Sequence, residues 1–280
     1  MTQPPTPQST TVHATTAQST TGPMPSLFVS HGSPMMAVEN GPARRFLTGW
    51  AEGLARPSAI LVATAHWEAD RPSLSAADGP RTVHDFGGFP RALYELRYPA
   101  PGAPALAREA AGLLAARGIE ARLDPARGFD HGVWVPLMLM YPQADIPVVS
   151  LSVQPGLGPR HHLEMGEALR PLRERGVLVV GSGSLTHNLA EFFHGPRDGG
   201  VPDWVSDFAG WIAERIGEGD AEALADYRTL APTAARNHPT EEHLLPLFVA
   251  LGAATPGRPG RRIHSGVENR VLAMDAYAFD

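Results

Sequence analysis

The sequence contains no cysteine among its 280 residues. Disulfides, thiolate zinc sites, iron–sulfur clusters and cysteine nucleophiles are therefore excluded. Any bound metal has to be held by histidine, aspartate, glutamate or backbone oxygen. The chain has 12 histidines, so an imidazole site is the first kind of metal site to consider.

The chain also lacks an excess of positive charge and any long apolar run. Its 23 basic side chains are outnumbered by 29 acidic ones, for a net charge of -6. The sequence therefore offers no cationic field for nucleic acid or anionic lipid. No apolar stretch approaches the roughly 20 residues that span a bilayer, and the N-terminus lacks the basic start and apolar core of a secretory signal. We expect a cytoplasmic protein that binds neither nucleic acid nor a membrane.

The N-terminal segment differs in composition from the rest of the chain. From Met1 to about Gly22 it is rich in Thr, Ser, Gln and Pro and has very few apolar side chains to bury. Such a segment cannot offset the entropy of ordering, so a disordered tail is predicted for residues 1–22. The remainder shows no internal repeat and no linker, and residues 23–280 are predicted to form one domain. The stretch Thr255–Arg262 is interpreted as a surface loop.

Short apolar, β-branched runs alternate with helical patterns from Pro25 onward. The runs that predict buried strands are Ser26–Ser30, Ala59–Ala65, Ile146–Val153 and Val177–Gly183. The segments that predict helices are Ala103–Arg117, Arg160–Arg175 with Pro171 near its end, and Glu241–Leu251. This alternation predicts an α/β fold, a single domain whose central sheet is mostly parallel or mixed and is flanked by helices.

Three histidines follow strand-like runs closely. His31 lies in SHGSP after the first run, His66 in TAHWE after the second, and His187 in SLTHNL after the fourth. Ligands of open α/β sheets collect beyond the carboxyl ends of the strands. A single histidine in such a place is more often an ordinary core or loop residue. Three in the same structural position indicate one shared site.

Two more histidines lie in glycine-containing turns. His84 is in HDFGGFP and His131 is in GFDHGVW. Glycine there allows the close backbone approach that a pocket wall requires. The plainer interpretation is a surface ion pair of each histidine with its neighbour, Asp85 or Asp130.

The segment EEHLLPLF places His243 in the first turn of a predicted helix. A protonated histidine gains nothing from the helix dipole at that end, so His243 is better suited to be a neutral ligand or donor. His161 and His162 are interpreted as exposed helix positions without a functional role.

The ordered motifs identify a family resemblance. The strings SHGSP, TAHWE, HDFGGFP, YPAPG, GFDHG, DIPVVSLSV, GSGSLTHNL and EEHLLPL resemble the pattern of the DOPA-type extradiol ring-cleaving dioxygenases. These belong to the class III family, related to the protocatechuate-cleaving LigB proteins. The resemblance runs from about Pro25 to the C-terminus and implies a LigB-like fold.

The resemblance also implies site residues. A divalent metal would be held by His31, His66 and a third residue near the C-terminus. That residue is glutamate in the LigB branch and histidine in the DOPA-like branch, where it falls on His243. Glu242 is adjacent, so the third ligand stays open between the two. The catalytic histidine, a general base and then acid, falls on His187, and a further pocket position falls on His131.

The implied reaction opens a catechol such as DOPA with O₂, beside its two hydroxyls, to a muconic semialdehyde. Fe(II) is expected for activity, because three protein ligands on one face of iron leave positions open. Zn(II) is expected in purified protein, because most nitrogen sites bind it more tightly than Fe(II). The same histidines also describe a zinc-dependent hydrolase, which stays the alternative. A non-catalytic binding protein is disfavoured because it would not need His187.

Overall fold

The computed structural model describes residues 22–196 and 198–280. The tail predicted for residues 1–22 lies outside this part of the chain except for Gly22, and its disorder stays a prediction. None of the helices in the described ranges is both long and apolar enough to cross a membrane.

Ten strands occur in the described residues. They are β1 (Ser26–Ser30), β2 (Ala59–Glu68), β3 (Ser73–Ser75), β4 (Arg122–Asp124), β5 (Val148–Val153), β6 (Val177–Gly183), β7 (Arg261–His264), β8 (Val267–Glu268), β9 (Leu272–Ala273) and β10 (Ala276–Phe279). The four buried strands expected from the sequence are all present, as β1, β2, β5 and β6.

Eight of these strands form one mixed sheet in the order β4-β3-β5-β2-β6-β1-β10-β7, and β8 pairs with β9 separately. The four central strands are parallel, with β2 between β5 and β6 and with β1 on the other side of β6. At one edge β10 runs antiparallel to β1, and at the other β3 runs antiparallel to β5. The continuous apolar character of the central strands suits a sheet that is covered on both faces. The predicted fold class is confirmed.

Twelve α-helices occur in the described residues. They are α1 (Pro42–Trp50), α2 (Arg91–Glu95), α3 (Pro104–Ala115), α4 (His131–Met140), α5 (Gly158–Leu169), α6 (Pro171–Glu174), α7 (Leu189–His194), α8 (Asp203–Glu218), α9 (Ala221–Ala225), α10 (Tyr227–Leu230), α11 (Ala234–Asn237) and α12 (Leu245–Ala253). Short 3₁₀ turns cover Pro34–Ala37, Ala51–Gly53 and Pro155–Leu157.

Successive side chains of β2 show how the core is divided. Ile60 and Val62 join the larger apolar cluster, which contains most of α4, α8 and α12. Leu61 and Ala63 point to the opposite face and join the smaller cluster, which contains the apolar sides of α3 and α5. The sheet is therefore the middle layer between two helical layers, as period-2 alternation requires.

Two predicted helices are confirmed with small changes at their ends. The one predicted for residues 103–117 is α3, and Gly118 just beyond it adopts φ +76, the left-handed conformation that glycine adopts at little cost. The one predicted for residues 160–175 starts at Gly158 and is divided by Pro171 into α5 and α6.

The predicted start of the last helix is wrong. Helix α12 begins at Leu245, not at Glu241, and residues 241–244 form a turn. A start at Leu245 places Pro246 in the first helical turn, where a missing amide hydrogen costs nothing and the proline ring meets no preceding turn. The predicted loop 255–262 is wrong at its end, where Arg261 starts β7. That edge strand is mostly exposed and lacks the apolar alternation that would have marked it.

Candidate metal centre and active site

The carboxyl ends of β1, β2 and β6 meet at one edge of the sheet. His31 directly follows β1, His66 lies near the end of β2, and His187 lies in the loop after β6. The turn before α12 brings His243 to the same place. One ring nitrogen from each of His31, His66 and His243 lies within 4.8 Å of the other two. The three predicted metal ligands are thus brought together.

Backbone contacts to the end of β6 set the positions of two of them. The amide of His31 donates to the carbonyl of Gly183 at 2.9 Å, and the amide of Ser184 donates to the carbonyl of His243 at 2.9 Å. A Cβ on Gly183 would overlap the carbonyl of His243. Glycine is therefore required there for the turn of His243 to reach the sheet.

Ser182 fixes the tautomer of His31. The Ser182 hydroxyl donates its only hydrogen to the carbonyl of Gly132, so its oxygen can only accept from Nδ1 of His31, which lies 3.0 Å away. The Gly132 carbonyl lacks the usual hydrogen bond within the helix, because the residue four positions later is Pro136, which has no amide hydrogen. This arrangement puts the proton of His31 on Nδ1 and leaves the Nε2 lone pair for a ligand.

Carboxylates face Nδ1 of the other two histidines. Nδ1 of His66 faces Oδ2 of Asp85 at 3.4 Å, and Nδ1 of His243 donates to Oε1 of Glu242 at 2.8 Å. With Nδ1 protonated in each ring, Nε2 is the nitrogen that is free to bind a cation. A histidine whose other ring N–H is held by an acceptor is typical of metal ligands.

Burial keeps these imidazoles neutral. Burial, followed by the charge of His131, lowers the pKa of His66 from 6.5 to about 3. Burial and the neighbouring imidazoles also lower the pKa of His31 and of His243 well below the usual value. Neutral imidazole is the form that binds a metal.

The distance between the free nitrogens fits a shared cation. Nε2 of His31 lies 2.9 Å from Nε2 of His66, and neither atom carries a proton in the tautomers assigned above. Two lone pairs this close repel each other unless a positive charge lies between them. Imidazole nitrogens bound to one ion at about 2.0–2.1 Å are about 3 Å apart when they approach it at right angles. The donor set therefore suits a divalent metal with nitrogen ligands.

Two further histidines border the same centre. The ring of His187 stacks on that of His243, with 3.4 Å between centroids and 13° between planes. Burial lowers the pKa of His187, although the charge of Glu242 opposes this. The ring of His131 lies 3.9 Å from that of His66 between centroids, and its Nδ1 donates to Oδ2 of Asp85 at 3.0 Å.

All five histidines line one cavity of about 230 Å³. Its remaining wall is mainly apolar, with aromatic side chains from Phe86, Phe89, Phe192 and Phe193. Trp67 and Tyr98, two other aromatic residues beside the sequence motifs, do not line it. A flat aromatic ring could therefore enter a cleft that has imidazoles at its base and aromatic side chains at its sides.

Some expectations about individual residues are wrong. His131 is not in a turn but begins α4, and its carboxylate partner is Asp85 rather than its neighbour Asp130. Asp130 is instead buried against Thr64 and Arg127. His162 is fully buried because its ring bridges the carbonyl of Gly158 and the amide of Gln154.

Asp85 was expected beside His84 and Glu242 as a possible metal ligand, but the hydrogen bonds of Ser182, Asp85 and Glu242 to the other histidines were not predicted from the sequence. Asp85 is part of the motif HDFGGFP, and Ser182 precedes the last residue of a buried strand. These two positions, one inside a motif and one near the end of a buried strand, were the sign of a role that the sequence offered. Their histidine partners come from other parts of the chain, so the pairing itself could not be read from the motifs.

Histidines gathered at the carboxyl ends of a mostly parallel sheet are typical of a metal-dependent enzyme of the α/β class. A family model described as the catalytic LigB subunit of aromatic ring-opening dioxygenase matches residues 25–279. The chain therefore belongs to the LigB family. Members of this family are metal-dependent, and membership makes the chain an oxidoreductase of the extradiol dioxygenase type.

Several known proteins are similar over most of their length. The 4,5-DOPA dioxygenase extradiol of Beta vulgaris is 44% identical over 256 residues, which are 90% of this chain and 95% of that protein. The protein of the same name from Escherichia coli K12 is 41% identical, over 90% of this chain and 93% of its own. A crystal structure of an uncharacterized Escherichia coli K12 protein superposes with a TM-score of 0.78 at 35% identity. The superposed region covers 92% of this chain and 100% of the chain in that crystal structure.

Proposed function

We propose that the chain is an Fe(II)-dependent extradiol dioxygenase that opens a catechol ring beside its two hydroxyls to give a muconic semialdehyde. The observation that carries the proposal is the convergence of three neutral imidazoles, His31, His66 and His243, next to two further histidines in one aromatic-walled cavity. DOPA is the first substrate to test, since the similar proteins are named for it.

His31, His66 and His243 would hold the iron. The choice of His243 over Glu242 as third ligand rests on their contacts: Glu242 accepts from Nδ1 of His243 and is thereby engaged in holding that ring. Bound Fe(II) supplies a path for electrons from the catecholate to dioxygen, which zinc cannot supply because it has no redox chemistry.

His187 would move the protons. Because burial lowers its pKa, its imidazole is neutral near pH 7 and can accept a proton from a catechol hydroxyl. The nearby charge of Glu242 would then stabilise the imidazolium until the proton is returned. His187 is also only 18% exposed at its side chain, so bulk water competes little for this proton.

His131 would orient the substrate. Its Nδ1 is engaged with Asp85, which leaves Nε2 as an acceptor for a substrate hydroxyl. The apolar ring wall, with Phe86 and Phe89 on one side, would pack against the catechol and exclude water from the reacting atoms.

The test loads one batch of apoprotein anaerobically with Fe(II) and a second batch with Zn(II). Each is given DOPA and other catechols in air. The iron form is expected to consume O₂ and to produce a yellow ring-opened semialdehyde, while the zinc form leaves the catechol uncleaved. An iron form that is inert towards every catechol, together with a zinc form that hydrolyses activated esters, would contradict the proposal. That result would favour the zinc hydrolase, for which the similar proteins give no support.

A further inference from the structure

Two carboxylates lie on opposite sides of the histidine cluster. Besides the three ligand candidates, two other groups in the described part of the chain have potential ligand atoms within 4.8 Å of one another: His66, Asp85 and His131, and His187, Glu242 and His243. Each group contains one proposed metal ligand, one proposed acid–base or orienting histidine, and one carboxylate between them. Neither Asp85 nor Glu242 lines the cavity, so neither is placed to touch the substrate.

Asp85 holds its two histidines by three contacts. Its Oδ1 accepts the backbone amide of His131 at 2.9 Å. Its Oδ2 accepts from Nδ1 of His131 at 3.0 Å and faces Nδ1 of His66 at 3.4 Å. The carboxylate thus holds His131 by two hydrogen bonds and lies beside Nδ1 of His66.

Glu242 contacts its two histidines in a related way. Its Oε1 accepts from Nδ1 of His243 at 2.8 Å and lies 3.9 Å from Nδ1 of His187. The near-parallel stacking of the two rings brings both Nδ1 atoms to the same oxygen. The neighbouring Glu241 is engaged elsewhere, with Tyr227, and does not compete for these rings.

We propose that Asp85 and Glu242 are positioning residues: each accepts a hydrogen bond from Nδ1 of one histidine of the site and places its charge beside Nδ1 of a second. The Nε2 atoms of both histidines are then turned to the cavity together. Asp85 couples His66 to His131, and Glu242 couples His243 to His187. The inference rests on the proposed function for the roles of these four histidines, but the pairing itself rests on the distances above.

The arrangement predicts different effects for removal of the acceptor and removal of its charge. Alanine at either position leaves the Nδ1–H groups without an acceptor, and loss of such a partner typically weakens metal binding by about 10–100-fold. Glu242→Gln keeps the one oxygen acceptor that His243 uses but lacks the charge that stabilises the protonated histidine. It should therefore bind metal within a few-fold of wild type and still turn over about 10–100-fold more slowly. Asp85→Asn keeps only one of the two acceptor oxygens that Asp85 uses, so its metal affinity should fall between those of Asp85→Ala and wild type.

The experiment measures metal binding separately from activity. Co(II) is titrated into apoprotein, its visible absorption spectrum is recorded, and its affinity is obtained by competition with a chelator. The variants are Asp85→Ala, Asp85→Asn, Glu242→Ala and Glu242→Gln. The matched controls are Glu241→Ala, which removes the adjacent carboxylate, and Asp78→Ala, which removes an exposed one. The kcat and KM of the iron-loaded forms are then measured with the best catechol.

The expected result is weaker Co(II) binding and an altered spectrum for the two alanine variants, with both controls like wild type. Glu242→Gln should show a wild-type spectrum, a reduced kcat and little change in KM, while Asp85→Asn should show a reduced kcat with an intermediate Co(II) affinity. Alanine variants that bind Co(II) as the controls do would overturn the inference. If the alanine variants fail to fold, amide variants with a wild-type kcat would overturn it instead. A wild-type protein inert towards catechols would refute the proposed function, while the Co(II) affinities would still decide the pairing.

Discussion

Replacement of Ser182 by alanine tests the tautomer argument for His31. The Ser182 side chain is fully buried, and its hydroxyl both accepts from His31 and donates to Gly132. Ser182→Ala therefore leaves two buried polar groups without a partner, the Nδ1–H of His31 and the carbonyl of Gly132. Each such group costs about 1–3 kcal/mol, and Pro136 cannot replace the lost donor because it has no amide hydrogen.

The free energy of unfolding of the apoprotein should fall by roughly 2–6 kcal/mol on this substitution. In a domain of this size that corresponds to a decrease in Tm of roughly 4–24 °C. The affinity for Fe(II) or Co(II) should fall by about 10–100-fold, since His31 is then free to place its proton on Nε2. Urea unfolding of the apoprotein and chelator competition of the metal-loaded form measure the two effects separately.

Ser150→Ala is the matched control. Ser150 is another fully buried strand serine, but among residues 22–196 and 198–280 its hydroxyl has no hydrogen-bond partner. Its removal should change stability by less than about 1 kcal/mol and leave metal affinity intact. The tautomer argument is refuted if Ser182→Ala matches Ser150→Ala in both unfolding free energy and metal affinity.

Three further predictions concern other residues. Gly132→Ala should weaken metal binding about tenfold or more, measured by chelator competition, because the added Cβ would overlap Oγ1 of Thr64 and press against Cδ2 of His66. His187→Ala should keep its metal, as measured by elemental analysis, and its turnover should fall by about 10²–10⁴-fold. His66→Ala should instead lose the metal. Equal metal loss in both variants would make His187 a ligand. Burial lowers the pKa of His162 and of His238 from 6.5 to about 4. Between these two pH values the two imidazoles therefore bind protons in the unfolded chain but not in the folded one. Apoprotein stability should then fall as pH decreases from 6.5 to 5, by about 1–2 kcal/mol for each of the two; urea unfolding that gives equal stability at both pH values would contradict this.

The sequence was most informative about residues whose position depends on a single strand. His31 and His66 could be placed at one edge of the sheet because parallel strands bring their carboxyl ends together. Helix α4 was not predicted, because its apolar residues surround it completely and Pro136 lies inside it, which is unlike an amphipathic helix. Helix α8 was also not predicted, although Val205, Phe208, Ile212 and Ile216 recur at helical spacing.

The partners of the histidines could not be predicted from local patterns. Asp85 pairs with His131 across 46 positions of the chain, and His31 pairs with Ser182 across 151. Pairings of this kind depend on the order of strands and on helix packing, which motifs do not contain. The motifs therefore predicted which histidines are candidate metal ligands, but not the hydrogen bonds that orient those histidines.

The position of β1 in the middle of the sheet has a consequence for the synthesis of the protein. β1 lies between β6 and β10, so its two edges are paired only after Val177–Gly183 and then Ala276–Phe279 have been synthesised. His31 and His66 are synthesised well before His243, and a two-nitrogen site holds a divalent ion weakly. Tight metal binding would thus require the completed fold, and a bound ion would stabilise only finished molecules.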